Sequence, residues 1–379
     1  MTSLISVAKC TSYKLPKVQK AIRECIDRID GLKDLEKGDH VLLKPNLLMS
    51  STPQEGITTH PSIVEATAKI LLEKNAKIMI GDSPGSPYTN LKNLWEKTGM
   101  KTIAKKLNIK LLNFESTGSY IKKFGSEEYP IAKPILECDF IVNLPKIKTH
   151  NLTILTCAVK NMYGVIPGAR KTDYHRRYPR PSEFSEKIVD IYKLAKPDLT
   201  IVDGIIGMEG NGPSGGDTRK LGMILASEDA VALDVYISHI LGMDPYMIPS
   251  NRIAIKKGLG SGPGNIKIIG DEPQVIDDFK WPSNIYHVLE FFPSKLARIL
   301  LRFWWSRPAI DDRCCKNCGI CIEACPAGAL SEGPSSPRFD YEKCVNCLCC
   351  MELCPHHAFY HEKSFLYKLT SRLSKNGGE

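Results

Sequence analysis

Short apolar runs alternate along the first 272 residues with segments whose apolar positions recur at helical spacing. The runs predict β-strands at 4–9, 40–44, 77–81, 110–114, 140–144, 199–203 and 221–226. The helical spacing predicts helices at 17–29, 61–74 and 229–241, the second with a proline suited to a first turn. This alternation is typical of an α/β domain on a mostly parallel sheet.

Polar residues follow the apolar runs at the points where strands of this sheet are predicted to end. In open parallel sheets, ligands bind at the carboxyl ends of the strands. Here those ends carry Lys44, Asn46, Asp82, the run KIKTH at 146–150, and Asp203. The sequence therefore predicts a ligand site along this edge.

The segment KIKTHNLTILTCAVKNMYG, residues 146–164, carries the strongest of these signals. A buried helical stripe is predicted in it at Leu155, Ala158, Val159 and Met162. The free N–H groups at the start of this helix, together with Lys148 and His150, would bind a carboxylate or phosphate. A capped helix with a salt-bridged lysine is the alternative.

Two further segments could contribute to the site. The basic residues Arg170, Lys171, Arg176, Arg177 and Arg180, with His175 among them, form either a solvated loop or an anion-binding loop. The glycine-rich run GMEGNGPSGGD, 207–217, matches no nucleotide-binding motif. It is either a loop that closes over a ligand or an ordinary turn.

Two residues lie in apolar surroundings that need an explanation. Cys157 would be activated as a nucleophile near a helix N-terminus and a lysine, although a small buried thiol is the simpler interpretation. Asp234, inside an apolar helix, is either a structural hydrogen-bond acceptor or part of the pocket.

Ten of the fourteen cysteines lie between Cys314 and Cys354, in two runs with the spacing C-x2-C-x2-C-x3-C-P that recur 29 residues apart. This is the spacing of bacterial two-cluster ferredoxins, in which the fourth cysteine of each run binds the other cluster. Zinc is the alternative, but structural zinc sites favour two separated ligand pairs. We therefore predict two [4Fe–4S] clusters, one held by Cys315, Cys318, Cys321 and Cys354, the other by Cys325, Cys344, Cys347 and Cys350. Cys314 and Cys349 are left over as packing residues.

The remaining segments predict a domain order of 1–272 for the α/β domain, 273–310 for a connector, 311–362 for a small α+β ferredoxin-type domain and 363–379 for a basic tail. The connector contains SKLARILLRFWWSR, which predicts an amphipathic helix that packs one domain on the other and buries Trp304 and Trp305. Contact of this helix with a membrane surface is the alternative.

Composition restricts where the protein acts and what it binds. No export signal begins the chain, and no run approaches about eighteen uninterrupted apolar residues, so a cytoplasmic protein is predicted. Two clusters with their thiolates would reduce the formal net charge of +9 to about +5. No nucleic-acid partner is expected at that charge.

The motifs KPNLL, TTHPSIVEA, IGDSPG, PKIKTHNLTILTCAVKN, IVDGIIGMEGNGPSGG and ASEDAVALDV together resemble the family known as domain of unknown function 362. The resemblance covers roughly 38–245, with the ferredoxin part at 311–362. Some members of that family carry a bacterial-type ferredoxin module at the C-terminus, as here. The family implies no established reaction. Positions similar to its pattern are Lys44, Asn46, His60, Asp82, Lys148, His150, Lys160, Asn161, His175, Asp203 and Asp234.

These features favour an oxidoreductase that passes low-potential electrons from the clusters to an anionic small molecule in the α/β domain. The expected catalytic residues are Lys148, His150, Lys160 and His175, with either histidine donating protons. The expected substrate-binding residues are Lys44, Asn46, His60, Asp82, Asn161, Arg176 and Asp203. One alternative is an electron carrier or docking module that serves a separate redox partner protein, and another is a non-redox enzyme with structural clusters. Because reduced clusters react with oxygen, activity is expected under anaerobic handling.

Overall fold

The structure is a computed structural model that describes residues 2–85, 89–168, 170–178, 180–282 and 306–365. Strands β1 to β16 in these ranges are Ser3–Lys9, His40–Pro45, Lys77–Asp82, Lys110–Asn113, Ser119–Phe124, Glu127–Ala132, Phe140–Leu144, Lys146–His150, Ile154–Thr156, Leu199–Glu209, Asp217–Ser227, Ile266–Gly270, Ser306–Ile310, Leu330–Ser331, Arg338–Phe339 and Phe359–Lys363. Helices α1 to α12 are Leu15–Ile29, Pro61–Glu73, Leu91–Lys97, Met100–Leu107, Lys133–Glu137, Ala158–Asn161, Arg170–Arg177, Pro181–Leu194, Ala230–Ile240, Pro249–Lys256, Ile320–Glu323 and Cys349–Leu353.

A ten-stranded sheet organises the large domain, with the order β12-β1-β11-β10-β7-β2-β3-β4. The strands from β10 to β4 run parallel, whereas β11 is antiparallel to both of its neighbours. Beyond the end of β7, β8 pairs with the second half of β10, and β9 adds to β8. The mostly parallel α/β sheet predicted from the sequence is confirmed.

Helices cover both faces of the sheet, which explains why its central strands are apolar without alternation. All five residues of β7, FIVNL, are buried. One core joins the sheet to α1, α2 and α4, with Val18, Ile63 and Ile103 among its members. The other core joins it to α6, α8 and α9. Polar residues at the carboxyl ends of the parallel strands, among them Lys44 and Asp82, line a cavity at this edge of the sheet.

The small domain repeats one backbone path around its two cysteine runs. Antiparallel pairs β13–β16 and β14–β15 frame the runs, which contain α11 and α12. Positive φ angles recur 29 residues apart, at Asn317 and Asn346 and at Gly319 and Leu348. The predicted connector helix with Trp304 and Trp305, and most of the predicted tail, lie outside the described residues. Among the described helices, none is long and apolar enough to cross a membrane.

Two local predictions were wrong. Leu155 belongs to strand β9, and the helix that follows is short and begins only at Ala158. Its first N–H groups are occupied by Asp234, whose carboxylate accepts from Ala158 at 2.7 Å and Val159 at 3.0 Å. A ligand therefore cannot use this helix start, and Asp234 is a structural acceptor. The basic segment 170–177 forms helix α7 rather than a loop.

Replacing Asp234 with asparagine should destabilise the large domain, because a buried N–H group at the start of α6 then faces an amide NH2. We expect the free energy of unfolding to fall by about 2–3 kcal/mol. Urea unfolding of the anaerobically purified chain measures it. Asp217→Asn is the control, since the Asp217 side chain is 79% exposed and its loss should change stability by about 0.5 kcal/mol or less. Equal effects of the two variants would contradict the structural role of Asp234.

Candidate functional site

Eight cysteines of the small domain line two separate cavities. We call the first group the outer set, and it consists of Cys315, Cys318, Cys321 and Cys354. We call the second group the inner set, and it consists of Cys325, Cys344, Cys347 and Cys350. Each set combines three cysteines of one run with the last cysteine of the other, which is the grouping that the spacing predicts.

The surroundings of these cysteines suit iron–sulfur clusters. The N–H of Ala329 donates to Cys325 Sγ at 3.2 Å, and the N–H of Ala358 donates to Cys354 Sγ at 3.4 Å. Such bonds stabilise thiolate ligands and tune the potential of a cluster. Across the described ranges, no group of three or more His, Cys, Asp or Glu side chains is placed to hold a single metal ion.

The two sets differ in their exposure. Each set has two buried cysteines, but the outer set also has an exposed one, Cys318, next to the exposed spare Cys314, whereas the other two of the inner set are half-buried. Helix α12 lies beside the inner set and directs Cys350 into its cavity. Other residues of the same helix, Cys349, Glu352 and Leu353, line a third cavity. The inner set therefore lies next to that cavity.

This third cavity lies between the two domains, at the carboxyl ends of the parallel strands. Its volume is about 70 Å³, which is room for roughly five water molecules. Besides the three α12 residues, its walls contain Lys44, Asn46, Leu48, Asp82, Ser83, Gly85, Lys148, Thr156, Lys160, Asn161, Tyr163, Gly164, Lys171, Thr172, His175 and Pro213. Four lysines but only two carboxylates line it, so a small anion suits it.

Two of the four lysines are held by partners of the large domain. Lys44 Nζ lies 2.7 Å from Asp82 Oδ1, and both side chains are buried. Lys171 Nζ donates to the carbonyl oxygen of Ser83 at 3.0 Å and lies 3.9 Å from Glu115 Oε1. Burial lowers the pKa of Lys171 to about 8. These two lysines shape the cavity wall while their charges are largely balanced.

In the ranges that the structure describes, the other two lysines have no carboxylate within ion-pair distance. Lys148 Nζ donates to Asn46 Oδ1 at 2.9 Å and to the carbonyl oxygen of Ile57 at 2.7 Å. Burial and the nearby charge of Lys160 lower the pKa of Lys148 to about 7. Among the described residues Lys160 makes no hydrogen bond, and its Nζ lies 5.6 Å from the ring centre of Tyr163. These ammonium groups are therefore available to an anion.

Glu352 brings a carboxylate from the small domain into contact with the large domain. Its Oε1 lies 3.1 Å from His150 Nε2, and its carbonyl oxygen accepts from Ser214 Oγ at 2.9 Å. His150 Nδ1 accepts the N–H groups of Leu152 and Thr153, so the ring hydrogen of neutral His150 sits on Nε2 and faces Glu352. Burial would raise the pKa of Glu352. His150, which is protonated at the low pH where Glu352 titrates, and other nearby cations lower that pKa to about 2.

The two histidines that were expected to donate protons are both buried and uncharged at neutral pH. Burial lowers the pKa of His150 to about 4 and that of His175 to about 3. His175 lines the cavity and packs on Phe184, with 4.0 Å between ring centres. His150 lies behind Glu352. Neither ring carries a spare proton at neutral pH, whereas Lys148 does in part.

Three expected binding residues lie away from the cavity. The ring of His60 stacks on the ring of Tyr13, with 3.6 Å between the ring centres. Asp203 forms a buried ion pair with Lys146 at 2.9 Å and accepts from Tyr13 Oη. Arg176 is exposed and pairs with Asp173 of the same helix. Of the other expected residues, His150 does not line the cavity, whereas the remaining seven do: Lys44, Asn46, Asp82, Lys148, Lys160, Asn161 and His175.

Cys157 is a buried thiol. Burial and the neighbouring carboxylate of Asp234 raise its pKa well above the usual value, which is the opposite of an activated thiolate. In the glycine-rich loop, Pro213 forms part of the cavity wall and Ser214 holds α12. This loop therefore contacts the small domain over the cavity.

Sequence reasoning did not single out Glu352, Cys349 or Ser83. Glu352 had a detectable signal, since it is the one carboxylate within the second cysteine run CVNCLCCMELCP. Cys349 was noticed only as a surplus cysteine. Ser83 follows Asp82 at a strand end, but nothing in the sequence shows that Lys171 reaches it.

Comparison with known proteins matches both parts of the chain. Residues 41–239 match the family model described as domain of unknown function (DUF362). Residues 307–358 match the 4Fe-4S dicluster domain. The chain is 33% identical over 309 residues to the thylakoid-associated protein sll1697 of Synechocystis sp., which is 80% of this chain and 95% of that protein.

Two solved structures align with part of the chain. The lactate racemase apoprotein from Thermoanaerobacterium thermosaccharolyticum gives a TM-score of 0.41 at 12% identity, covering 61% of this chain and 55% of that one. A structural genomics target from Thermotoga maritima gives a TM-score of 0.36 at 13% identity, covering 53% of this chain and 52% of that one. The match spans about half the length of both solved chains.

The lowered pKa of Lys148 makes stability depend on pH. Between about pH 7, its folded value, and about pH 10, the value of a free lysine, the unfolded chain binds more protons at this residue than the folded chain. The free energy of unfolding should therefore rise with pH in this window, by up to about 1.4 kcal/mol per pH unit from this residue. Urea unfolding at stepped pH gives the slope of the free energy of unfolding against pH. In Lys148→Met this slope should be smaller by that amount than in the unaltered chain. Lys20→Met, whose native side chain is 79% exposed, should keep the full slope; equal slopes in both variants would contradict the burial of a titrating Lys148.

Proposed function

We propose, from the premise that this chain belongs to the DUF362 family and carries a C-terminal 4Fe-4S domain, that it is an iron–sulfur oxidoreductase acting on a small anionic substrate. The fusion itself supports iron–sulfur electron transfer. The anionic substrate is inferred from the cavity between the domains, where four lysines face two carboxylates.

One observation carries this proposal: α12 lines both the inner cysteine cavity and the lysine-rich cavity. A ligand next to Lys160 would lie across this one short helix from the inner set. Tethering of the two domains keeps donor and acceptor close. A ferredoxin domain that only delivered electrons to a separate enzyme would not need to complete the wall of a cavity in its own chain.

We assign the outer and inner sets as the ligands of two [4Fe–4S] clusters, which supply single electrons when bound. The large domain's residues then bind and orient the substrate. Lys148 and Lys160 provide the charge, and Asn46 and Asn161 hold the amide network behind them, with 3.0 Å between Asn46 Nδ2 and Asn161 Oδ1.

Lys148 is the best-suited proton donor. A group whose pKa lies near the working pH is effective in acid–base catalysis, and that of Lys148 is about 7. His150 has a different role in this proposal, because its Nε2 faces Glu352 and orients that carboxylate. His175 contributes an uncharged wall to the cavity.

An electron carrier or docking module is the second candidate. The exposure of Cys318 and Cys314 favours it, since a separate redox partner protein could approach the outer set closely. The relative from Synechocystis sp. is described as thylakoid-associated. A membrane-associated partner is therefore an alternative to the cytoplasmic setting that we propose.

Iron analysis tests the ligand assignment. The anaerobically purified chain should contain about eight irons and eight sulfides. Cys325→Ala should lose iron from the inner set, although Cys325 belongs to the first run, whereas the spare Cys314→Ala should keep the full content. Zinc in place of iron, or equal iron loss in both variants, would contradict the assignment.

Reoxidation kinetics test the oxidoreductase. The chain is reduced with dithionite, freed of excess reductant, and mixed anaerobically with the small-molecule fraction of a cell extract while the visible absorbance of the clusters is followed. We expect faster reoxidation in the wild type, loss of the acceleration in Lys160→Met, and its retention in Lys20→Met. Absence of any acceleration would leave the carrier function as the better account.

A further inference from the structure

Cys349 connects the inner cysteine set to the cavity. In the chain it lies between Cys347 and Cys350, two members of the inner set. Its side chain lines the cavity together with Lys160 and Glu352. The next residue, Cys350, lines the inner set's own cavity. Adjacent residues of one short helix thus reach the two sites.

Buried side chains separate the charges on the two sides of α12. Cys347, Cys349 and Cys350 are buried, at 7%, 4% and 8% exposure. The charge of Lys160 interacts with that of Glu352. Electrostatic interactions in such surroundings are stronger and less screened than at a surface. The outer set has an exposed cysteine, Cys318, and is therefore better screened.

We infer that an anion in the cavity and the cluster of the inner set control each other, an inference that rests on the proposed function. Reduction adds one negative charge to a cluster, so the nearby Lys160 ammonium favours the reduced state. A bound anion offsets that ammonium and lowers the reduction potential of the inner cluster. Because coupling between two sites is reciprocal, reduction must weaken anion binding by the same factor.

This coupling gives the substrate a role in its own reduction. An anionic substrate makes the adjacent cluster a stronger electron donor only while it is bound. Electrons that enter at the exposed outer set are thus retained until the cavity is filled. We expect the outer cluster to respond less, because Cys318 of its set is exposed and solvent screens charge there.

An EPR-monitored redox titration of the anaerobically purified full chain tests the inference without knowledge of the substrate. Lys160→Met should lower one of two potentials, and Lys160→Arg, which keeps the charge, should restore it. Lys316→Met, which removes an exposed lysine beside the outer set, should leave that same potential unchanged. Unaltered potentials in Lys160→Met with full iron content, or an equal shift in Lys160→Arg, would overturn the inference.

Inorganic phosphate serves as the anion probe in a second experiment. Phosphate should lower the potential that responds to Lys160→Met, and equilibrium dialysis should show weaker binding to the reduced chain. Tenfold weaker binding corresponds to a lowering of about 59 mV for one electron. Phosphate that binds the oxidised and reduced chain equally would overturn the coupling. If the potentials shift as expected but no metabolite accelerates reoxidation, the coupling stands and the oxidoreductase function fails.

Discussion

The five-residue helix α12 contributes side chains to two sites at once. The arrangement of the two domains depends on this helix. Residues three or four apart share a side of a helix, whereas adjacent residues do not. Cys349, Glu352 and Leu353 therefore face the large domain, while Cys350 turns towards the inner set. Rotating the helix would break both arrangements together. The small domain is consequently fixed in one orientation by its own ligand spacing.

The lysines of the large domain that lie away from solvent fall into two groups, those in ion pairs and those without a carboxylate partner. Lys44 and Lys146 each form a close ion pair with an aspartate, which offsets the loss of hydration. Among the described residues, the buried Lys148 and the half-buried Lys160 lack such a carboxylate, and an unpaired charge away from water destabilises the folded state. Groups retained in that condition are typical of functional sites. The sheet thus presents two ion pairs and, beside them, two lysines that have no carboxylate partner in the described part of the chain.

Much of this fold could be predicted from local patterns, because β7 and its parallel neighbours are continuous apolar runs. The paired cysteine sets followed from spacing alone. Contacts between distant segments could not be predicted: Asp234 occupies the start of α6, and Lys171 reaches Ser83, 88 residues away. The periodicity around Leu155 was also misleading, since three buried strand residues can mimic one turn of a buried helix. Glu352 escaped notice because its surroundings are built by the other domain.

The 29-residue repeat of the small domain is also seen in its backbone conformation. Gly319 adopts a φ of 77° and Gly328 one of 59°, and Leu348 and His357 adopt the same left-handed conformation at the equivalent positions. This conformation is unfavourable for a residue with a side chain, by about 1–2 kcal/mol. Leu348 is 1% exposed and lies against the inner set. The second run thus places a buried hydrophobic side chain against the inner set, at a left-handed position where the first run has a glycine.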